Sequence, residues 1–246
     1  MLMIGREELD VVGLRYGEEW KKWRLVIKLD PDKNLPPAAH GILRLPAVDA
    51  VVVGGTQGIN YANSFGLVDS IRRSGYRGPL VQEISTAEAV VPGVDAYFIP
   101  VVLNAADRRW LVDAHLEAIK KYGGLISLEN VLAEGYLVCN PDSAAGRLTG
   151  AKGVALEDAV AYVILAEEIF GLPVFYIEYS GVFGDMDLVG AVSKAKRSIH
   201  LVYGGGIKTP GQLARAASLA DTAVIGNILY EDPEQALKMV SAFGQC

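Results

Sequence analysis

Two short segments near the end of the chain share an apolar, β-branched pattern that runs into glycine. The sequence reads HLVYGGG at residues 200–206 and TAVIGN at residues 222–227. Near-continuous apolar runs of this length are typical of strands buried on both faces, and the segment between them has helical spacing. A strand, a helix and a second buried strand form the repeating unit of a parallel sheet that is covered by helices.

The same alternation extends over most of the chain. Strand-like runs occur at Arg24–Leu29, Val48–Gly54, Pro79–Ile84, Ala96–Val101, Gly135–Cys139, Val174–Tyr179, His200–Tyr203 and Thr222–Ile225. Helix-like segments occur at Asn60–Ser74, Asp107–Tyr122, Leu156–Phe170, Asp185–Arg197, Pro210–Leu219 and Pro233–Phe243. Eight such units close most naturally into a barrel, so the sequence predicts an α/β fold of the (β/α)8 TIM-barrel class. We expect one domain over residues 1–246, with residues 1–19 as an N-terminal extension.

One unit of the predicted barrel is irregular. Only eleven residues separate Ile84 from Ala96, and they include Pro92 and Gly93. A parallel crossover usually needs a dozen or more residues and a helix. We therefore predict that the helix after the third strand is missing or replaced by an extended segment. A long insert, Val102–Glu134, separates the fourth strand from the fifth.

Composition excludes several classes of protein. Apolar residues make up 51% of the chain, which is enough for a large core, and the net charge of -6 argues against binding nucleic acid or anionic membranes through bulk charge. No signal peptide or transmembrane segment is recognisable, and the two distant cysteines, Cys139 and Cys246, predict a reducing compartment. We expect a cytoplasmic protein. The three histidines, His40, His115 and His200, lack the spacing of metal ligands.

Functional residues of a barrel collect where the strands end. Lys28 and Asp30 share one face of the first strand, and a cation beside a carboxylate suits a phosphorylated substrate and Mg²⁺. Asp30 could instead only cap the turn before Pro31. Thr56 follows two glycines after the second strand and offers a hydroxyl, although this motif taken alone favours the cap of a helix that starts near Asn60.

The sixth strand carries a carboxylate among apolar and aromatic residues. By alternation, Tyr176, Glu178 and Ser180 face the same way. Glu178 is a candidate base for a bound hydroxyl, because an unpaired carboxylate inside a barrel is costly without a function. The alternative is a carboxylate that a structural lysine or arginine neutralises. We expect Glu178 to be the main acidic group of an otherwise apolar lining.

Glycines after the seventh and eighth strands predict a phosphate site. Gly204–Gly206 and Gly226-Asn227 stand where this fold usually binds phosphate through backbone N–H groups, although two tight turns would read the same way. The pattern is not a dinucleotide fingerprint, because Thr209 stands where its last glycine is required. After the fifth strand, Asp142 or Ser143 could face the mouth of the barrel or cap a helix.

Together these strand ends resemble one family. The motifs are Lys28–Asp32, Gly54–Thr56, Ala96–Pro100, Ala133–Tyr136, Tyr176–Gly181, Gly204–Gly206 and Gly226-Asn227. In combination, and at these spacings, they resemble the geranylgeranylglyceryl phosphate synthase family, most closely its bacterial PcrB branch of heptaprenylglyceryl phosphate synthases. The resemblance extends from about Trp20 to the end of the chain.

The resemblance implies a prenyltransferase that forms an ether between a polyprenyl diphosphate and the 3-hydroxyl of sn-glycerol 1-phosphate. It implies Mg²⁺ as cofactor with Asp30 and Thr56 as ligands, and Glu178 and Lys28 as catalytic residues. The residues implied in binding glycerol 1-phosphate are Lys28, Tyr176, Ile177, Glu178, Tyr179, Ser180, Gly181, Gly206, Gly226 and Asn227. The family also implies a homodimer and a product that enters the membrane.

The length of the prenyl tail depends on one position. The family has a limiting side chain on the helix after the fourth strand, and here that position is Ala118. Alanine does not block a long tail, so a C35 donor is expected, with C20 as the alternative; Ala118 could also be an ordinary helix residue. Two further functions stay open, another phosphate-binding barrel enzyme and a phosphate-binding protein without catalysis.

Overall fold

The computed structural model of the protein describes residues 18–123 and 128–244. In these residues eight parallel strands pair in chain order and close into a barrel, because β8 also pairs with β1. The strands are β1 (Leu25–Leu29), β2 (Ala50–Val53), β3 (Leu80–Glu83), β4 (Ala96–Val102), β5 (Val131–Val138), β6 (Val174–Glu178), β7 (His200–Gly204) and β8 (Thr222–Ile225). The predicted TIM barrel is confirmed. Most of the predicted N-terminal extension lies outside the described residues.

The helices cover the outside of the barrel. They are α1 (Pro37–Ile42), α2 (Tyr61–Arg73), α3 (Asp113–Tyr122), α4 (Ala144–Thr149), α5 (Leu156–Ile164), α6 (Met186–Ala195), α7 (Pro210–Ala217), α8 (Ile228–Glu231) and α9 (Pro233–Phe243). All six predicted helical segments contain a helix, and α5 continues into a π-helical turn at Leu165–Ile169. Local capping explains where some begin, since Thr209 and Gln212 form a reciprocal capping box at α7. None of the helices in the described ranges is long and apolar enough to cross a membrane.

The irregular third unit is confirmed. Between β3 and β4 the chain forms a single 3-10 turn, Ala87–Ala89, and no α-helix. The side chain of Gln82 supports this segment by donating to the carbonyl of Ala89 at 2.7 Å and accepting from the amide of Val91 at 3.0 Å. Buried hydrogen bonds therefore hold the extended connection where a helix would normally lie.

The fifth strand begins earlier than predicted. Its pairing with β4 runs from Tyr97 opposite Val131 to Val102 opposite Tyr136, so β5 starts at Val131 and not at Gly135. The alanine and glutamate at positions 133 and 134 interrupt the apolar pattern, which is why the sequence places the start too late. The correction matters for function, because it places Glu134 inside a strand.

Alternation along each strand divides the core into two layers. One set of side chains, with Ile27 and Ile177, packs between the barrel wall and the helices, whereas the other fills the barrel interior. Trp20 and Trp23 close the end of the barrel where the strands begin; Trp20 packs edge-on against His200, with ring centroids 5.3 Å apart. The opposite end, where the strands finish, is left open for a site.

Candidate active site

A polar cavity of about 520 Å³ lies at the carboxyl ends of the strands. The turns after β1, β2, β5, β6, β7 and β8 all contribute to its lining. Of the predicted site residues, the lining includes Lys28, Asp30, Thr56, Tyr176, Glu178, Ser180, Gly181, Gly206, Gly226 and Asn227. The fold therefore brings together, around one cavity, residues that are up to two hundred positions apart in the sequence. We call this cavity the polar basin.

A chain of hydrogen bonds links Lys28 to Glu178 beneath the basin. The Lys28 ammonium lies 2.8 Å from each carboxylate oxygen of Glu83 and donates to the Tyr136 hydroxyl at 3.0 Å. The Tyr136 hydroxyl in turn donates to Glu178 Oε2 at 2.7 Å. The Tyr136 ring stacks on that of Tyr176 with centroids 4.5 Å apart, and the ammonium lies over both rings.

Glu178 is buried at the end of β6 and oriented through both of its oxygens. Besides the bond from Tyr136, its Oε1 accepts from the backbone amide of Ser180 at 2.6 Å. Its hydrogen-bond donors are thus a tyrosine and an amide, while the nearby ammonium of Lys28 pairs with Glu83. The carboxylate remains an acceptor at the wall of the basin, as a base requires.

The expectation that Glu178 is the main acidic group of the interior is wrong. Glu83 and Glu134 are also buried inside the barrel, 7% and 3% exposed. Sequence reasoning missed both because their strand faces depend on register, and β5 was started too late. Burial and the charge of Glu83 raise the pKa of Glu134 well above its ordinary value, and Oε2 of Glu134 has no hydrogen-bond partner among the described residues.

Electrostatics keep the other members of the chain in defined protonation states. Burial lowers the pKa of Lys28, but the charges of Glu83 and Glu178 outweigh it and the net pKa is raised, so the ammonium stays charged. Burial raises the pKa of Tyr136 well above its usual range, and the neighbouring Glu178 charge adds to this. Tyr136 therefore keeps its proton and acts as a donor to Glu178.

Asp30 and Thr56 lie together at the mouth of the basin. Asp30 caps its own turn, since Oδ1 accepts from the amide of Asp32 at 3.0 Å, yet it also lines the cavity. The capping role of Asp30 is thus observed, and its role toward a metal stays a prediction. The β2 turn packs directly on this carboxylate, because a Cβ at Gly55 would stand only 2.5 Å from Asp30 Oδ1. Thr56 is free of the alternative capping role, which Asn60 performs with Asn63.

The donors at this corner fit Mg²⁺. The ion prefers hard oxygen ligands and is commonly held by one or two carboxylates together with water and substrate phosphates. Asp30 supplies a carboxylate and Thr56 a hydroxyl, and both line the basin. A cage of three or more His, Cys, Asp and Glu side chains is not found within the described ranges.

The glycine turns after β6, β7 and β8 form the far wall of the basin. Gly206 adopts φ +50°, and a Cβ there would stand 2.2 Å from the carbonyl carbon of Val182, so only glycine fits. Asn227 stands at the start of the short helix α8, the usual place of the extra helix at barrel phosphate sites. Backbone N–H groups and small residues thus surround space that suits an anion.

The structure separates two of the implied binding residues from the cavity. Ile177 is fully buried in the layer behind the barrel wall, and Tyr179 packs against Tyr203. Neither side chain lines the basin, as alternation along β6 requires, so any contact they make with a ligand would be through the backbone. Asp142 and Ser143 do line it, and Ser143 also caps α4 by accepting from the amide of Gly146 at 2.9 Å.

Lys33 was missed by sequence reasoning. It lines the basin near Asp30, is 44% exposed, and donates to the side-chain oxygen of Asn227 at 2.9 Å. Lys33 lies two residues beyond Pro31, outside the strand, so the alternation of strand side chains could not show which way it faces. With Lys28 committed to Glu83, Lys33 is the better placed cation for an anionic ligand at the mouth.

An apolar groove leads away from the basin. Its lining comes mainly from β4, α3, α4 and the segment after β3, and includes Ile99, Trp110, Ala114, Ala118, Tyr122, Leu128, Val131 and Leu148. Ala118 lies on the face of α3 that lines the groove, where alanine leaves space. The missing third helix is what makes room, because residues 84–87 and 90 form one wall. The groove and the basin share Gly55, Thr56, Tyr136 and Ala145.

Comparison with known proteins assigns the family. The model of the PcrB family matches residues 18–244, which is nearly the whole described chain. The chain belongs to the PcrB family. The resemblance of its strand-end motifs is thereby confirmed.

Several curated relatives carry one name. Heptaprenylglyceryl phosphate synthase of Bacillus subtilis is 43% identical over 222 residues, covering 90% of this chain and 96% of that protein. The protein of the same name from Geobacillus kaustophilus is 43% identical over 229 residues, covering 93% of this chain and 95% of that protein. The one from Brevibacillus brevis is 41% identical over 225 residues, covering 91% of this chain and 96% of that protein. These relatives confirm the expectation of a prenyltransferase.

Solved structures support the fold of this PcrB-family chain. A crystal structure of (S)-3-O-geranylgeranylglyceryl phosphate synthase from Thermoplasma acidophilum, in complex with sn-glycerol-1-phosphate, superposes with a TM-score of 0.78. It is 22% identical and covers 94% of this chain and 97% of the other. A structure of the Thermoplasma volcanium enzyme gives a TM-score of 0.75 at 23% identity, covering 93% of this chain and 96% of the other.

Proposed function

We propose that the protein transfers a heptaprenyl (C35) group from its diphosphate to the 3-hydroxyl of sn-glycerol 1-phosphate, with Mg²⁺ as cofactor. The observation that carries the proposal is the meeting of a polar basin and an apolar groove at Thr56 and Tyr136. Such a junction suits a reaction between a small anionic acceptor and a long apolar donor. The shared name of the curated relatives supports the same pair of substrates.

The basin would hold the acceptor. Its phosphate would lie against the turns of Gly206, Gly226 and Asn227, with Lys33 as a nearby cation, so that the glycerol points inward to Glu178. The Thermoplasma acidophilum protein, which shares the fold, was solved with sn-glycerol-1-phosphate. A fixed phosphate would orient one hydroxyl toward the donor and so raise its effective concentration.

The groove would hold the prenyl tail. Burial of each CH₂ group contributes about 0.8 kcal/mol, so an apolar channel along α3 discriminates strongly between tails that fit and tails that do not. Alanine at position 118 keeps the channel open beyond the first turn of α3. This supports the long donor that the names of the relatives specify.

The residues at the junction would hold the metal. Asp30 and Thr56 both line the basin, and they would bind Mg²⁺ where the diphosphate would lie. When bound, Mg²⁺ neutralises negative charge on the departing diphosphate.

The chemical step is a substitution at the first prenyl carbon. The glycerol oxygen forms a bond to that carbon, the bond from the carbon to the diphosphate oxygen breaks, and its electron pair leaves with the diphosphate. Glu178 takes the proton of the hydroxyl, while Tyr136 and the amide of Ser180 hold the carboxylate in place. Tyr136 and Tyr176 present ring faces near the junction, which suit a carbon that becomes cation-like.

A transfer assay tests the proposal. Purified protein would be offered glycerol 1-phosphate or glycerol 3-phosphate with C15, C20 or C35 diphosphate, with Mg²⁺ or with chelator. We expect the highest kcat/KM for glycerol 1-phosphate with the C35 donor, and no product in chelator. A preference for C20 would assign the shorter product, and no product with any donor would reject the proposal.

The assembly stays a prediction. The family resemblance implies a homodimer, and the end of the α5 segment carries the exposed apolar residues Ile164, Ile169 and Phe170. We propose a second copy of the chain as their partner. Sedimentation equilibrium decides between monomer and dimer.

A further inference from the structure

Lys28 has its donors occupied inside the barrel. A lysine ammonium carries three N–H donors, and here it has three acceptor atoms within 3.0 Å: both carboxylate oxygens of Glu83 and the Tyr136 hydroxyl. It also lies 5.5 Å and 5.4 Å from the ring centres of Tyr136 and Tyr176. In this arrangement Lys28 has no donor to spare for a substrate phosphate.

Glu83 is responsible for that arrangement. Glu83 is the last residue of β3 and is 7% exposed, and each of its carboxylate oxygens accepts from the Lys28 ammonium at 2.8 Å. It does not line the polar basin, so it has no contact with an acceptor bound there. Glu83 also lines the apolar groove, and its hydrogen bonds toward the residues of the basin are those with Lys28.

The hydrogen bonds beyond Lys28 have a fixed direction. A tyrosine hydroxyl has one proton, and Tyr136 donates it to Glu178 Oε2 at 2.7 Å. Its oxygen is then free to accept from Lys28, as it does at 3.0 Å. An ammonium held beneath the tyrosine oxygen therefore directs the hydroxyl proton toward Glu178.

We infer that Glu83 is a positioning residue for prenyl transfer, which holds Lys28 beneath Tyr136 so that the Tyr136 hydroxyl keeps Glu178 aimed at the acceptor. The inference rests on the proposed function and adds a residue to it. It also gives Lys28 an orienting role in place of a direct contact with the acceptor phosphate.

A double-mutant cycle tests the path. Glu83→Gln removes the charge and one of the two acceptors, and Tyr136→Phe removes only the hydroxyl. Loss of an orienting partner of a site residue typically lowers activity by about 10-fold to 100-fold, as seen around metal ligands, and we expect this loss in kcat with little change in the KM for glycerol 1-phosphate. In the Tyr136→Phe background, Glu83→Gln should cost almost nothing more.

Controls separate positioning from stability. Glu134→Gln is the matched variant, because it changes a second buried glutamate that neither lines the basin nor bonds to Lys28, and its kcat should be unchanged. Glu83→Asp keeps the charge but is one methylene shorter, and serves if the glutamine variant does not fold. Independent, multiplying losses from Glu83→Gln and Tyr136→Phe, or wild-type kcat in Glu83→Asp, would overturn the inference.

A crystal structure gives a readout that does not depend on turnover. With glycerol 1-phosphate bound, Glu83→Gln should show the Lys28 ammonium displaced from Tyr136 and a rotated Glu178 carboxylate. An unmoved ammonium overturns the inference whatever the activity. Absence of transfer in the wild-type protein would instead reject the proposed function, so the two failures are distinguishable.

Discussion

Replacement of Glu178 by glutamine is the sharpest perturbation of the proposed chemistry. The carboxylate accepts two hydrogen bonds, from the Tyr136 hydroxyl at 2.7 Å and from the Ser180 amide at 2.6 Å. A glutamine of the same shape keeps one acceptor oxygen and turns an NH₂ group toward the other donor. It can no longer take a proton from the acceptor hydroxyl.

The size of the effect follows from these contacts. A general base contributes about 10²-fold to 10⁴-fold, so kcat should fall by that factor, equivalent to about 3–5 kcal/mol in the activation free energy. Loss of one buried hydrogen bond should lower the free energy of unfolding by about 1–3 kcal/mol. Binding of glycerol 1-phosphate should weaken by at most about fivefold, because the glycine turns that would hold its phosphate are untouched.

Single-turnover transfer from C35 diphosphate to labelled glycerol 1-phosphate measures the chemical step, and calorimetry measures acceptor binding. Glu134→Gln provides the matched control, since the amide is isosteric with the acid and Glu134 does not line the basin. Wild-type turnover in Glu178→Gln would remove Glu178 from the role of base. Lost acceptor binding with retained turnover would make it a binding residue only.

The remaining predictions concern the metal, the tail, the phosphate turn and pH. Asp30→Asn should raise the Mg²⁺ concentration needed for half-maximal activity, and a wild-type Mg²⁺ titration would reject the metal assignment. Ala118→Trp should fill the groove, reducing transfer from C35 diphosphate while a C15 donor is still used; equal loss with both donors would contradict the tail assignment. Gly206→Ala adds a Cβ that would clash with Val182 at φ +50°. The free energy of unfolding should therefore fall by about 1–3 kcal/mol, measured by thermal unfolding, and the KM for glycerol 1-phosphate should rise in steady-state kinetics. Burial lowers the pKa of His200 to about 4, below its value in the unfolded chain. The free energy of unfolding should therefore be at its full value above about pH 6.5 and fall by about 3 kcal/mol as the pH drops to 4. A His200→Gln variant that keeps the same pH dependence in urea unfolding would refute this.

The barrel could be predicted because its signals are local. Eight apolar runs, the helical spacing between them and the short link from Ile84 to Ala96 depend on neighbouring residues, and every predicted run overlaps a strand of the structure. The start of β5 could not be found this way. Glu134 interrupts the apolar pattern, and only its register opposite Pro100 on β4 shows that it belongs to the strand.

The candidate site was predictable to the extent that strand ends reveal it. Lys28, Asp30, Thr56 and Glu178 stand at such ends and line one basin. The bonds from Glu83 to Lys28 and from Tyr136 to Glu178 join different strands, and no sequence spacing encodes them. Glu83 was missed for this reason, and Glu134 was missed because the sequence places the start of β5 too late.

The length of the prenyl tail could not be predicted from residue patterns alone. Ala118 reads as an ordinary helix residue, since alanine is the best helix former, and only its place in the groove gives it meaning. Its role in setting chain length stays a prediction, drawn from the family resemblance and supported by the groove.

We propose that the polar basin and the apolar groove serve one reaction at their junction. Product formation from C35 diphosphate and glycerol 1-phosphate can be followed by mass spectrometry of the extracted lipid. We expect heptaprenylglyceryl phosphate, formed only with Mg²⁺ and in preference to the C20 ether. Glycerol 1-phosphate recovered unchanged alongside intact C35 diphosphate would contradict it.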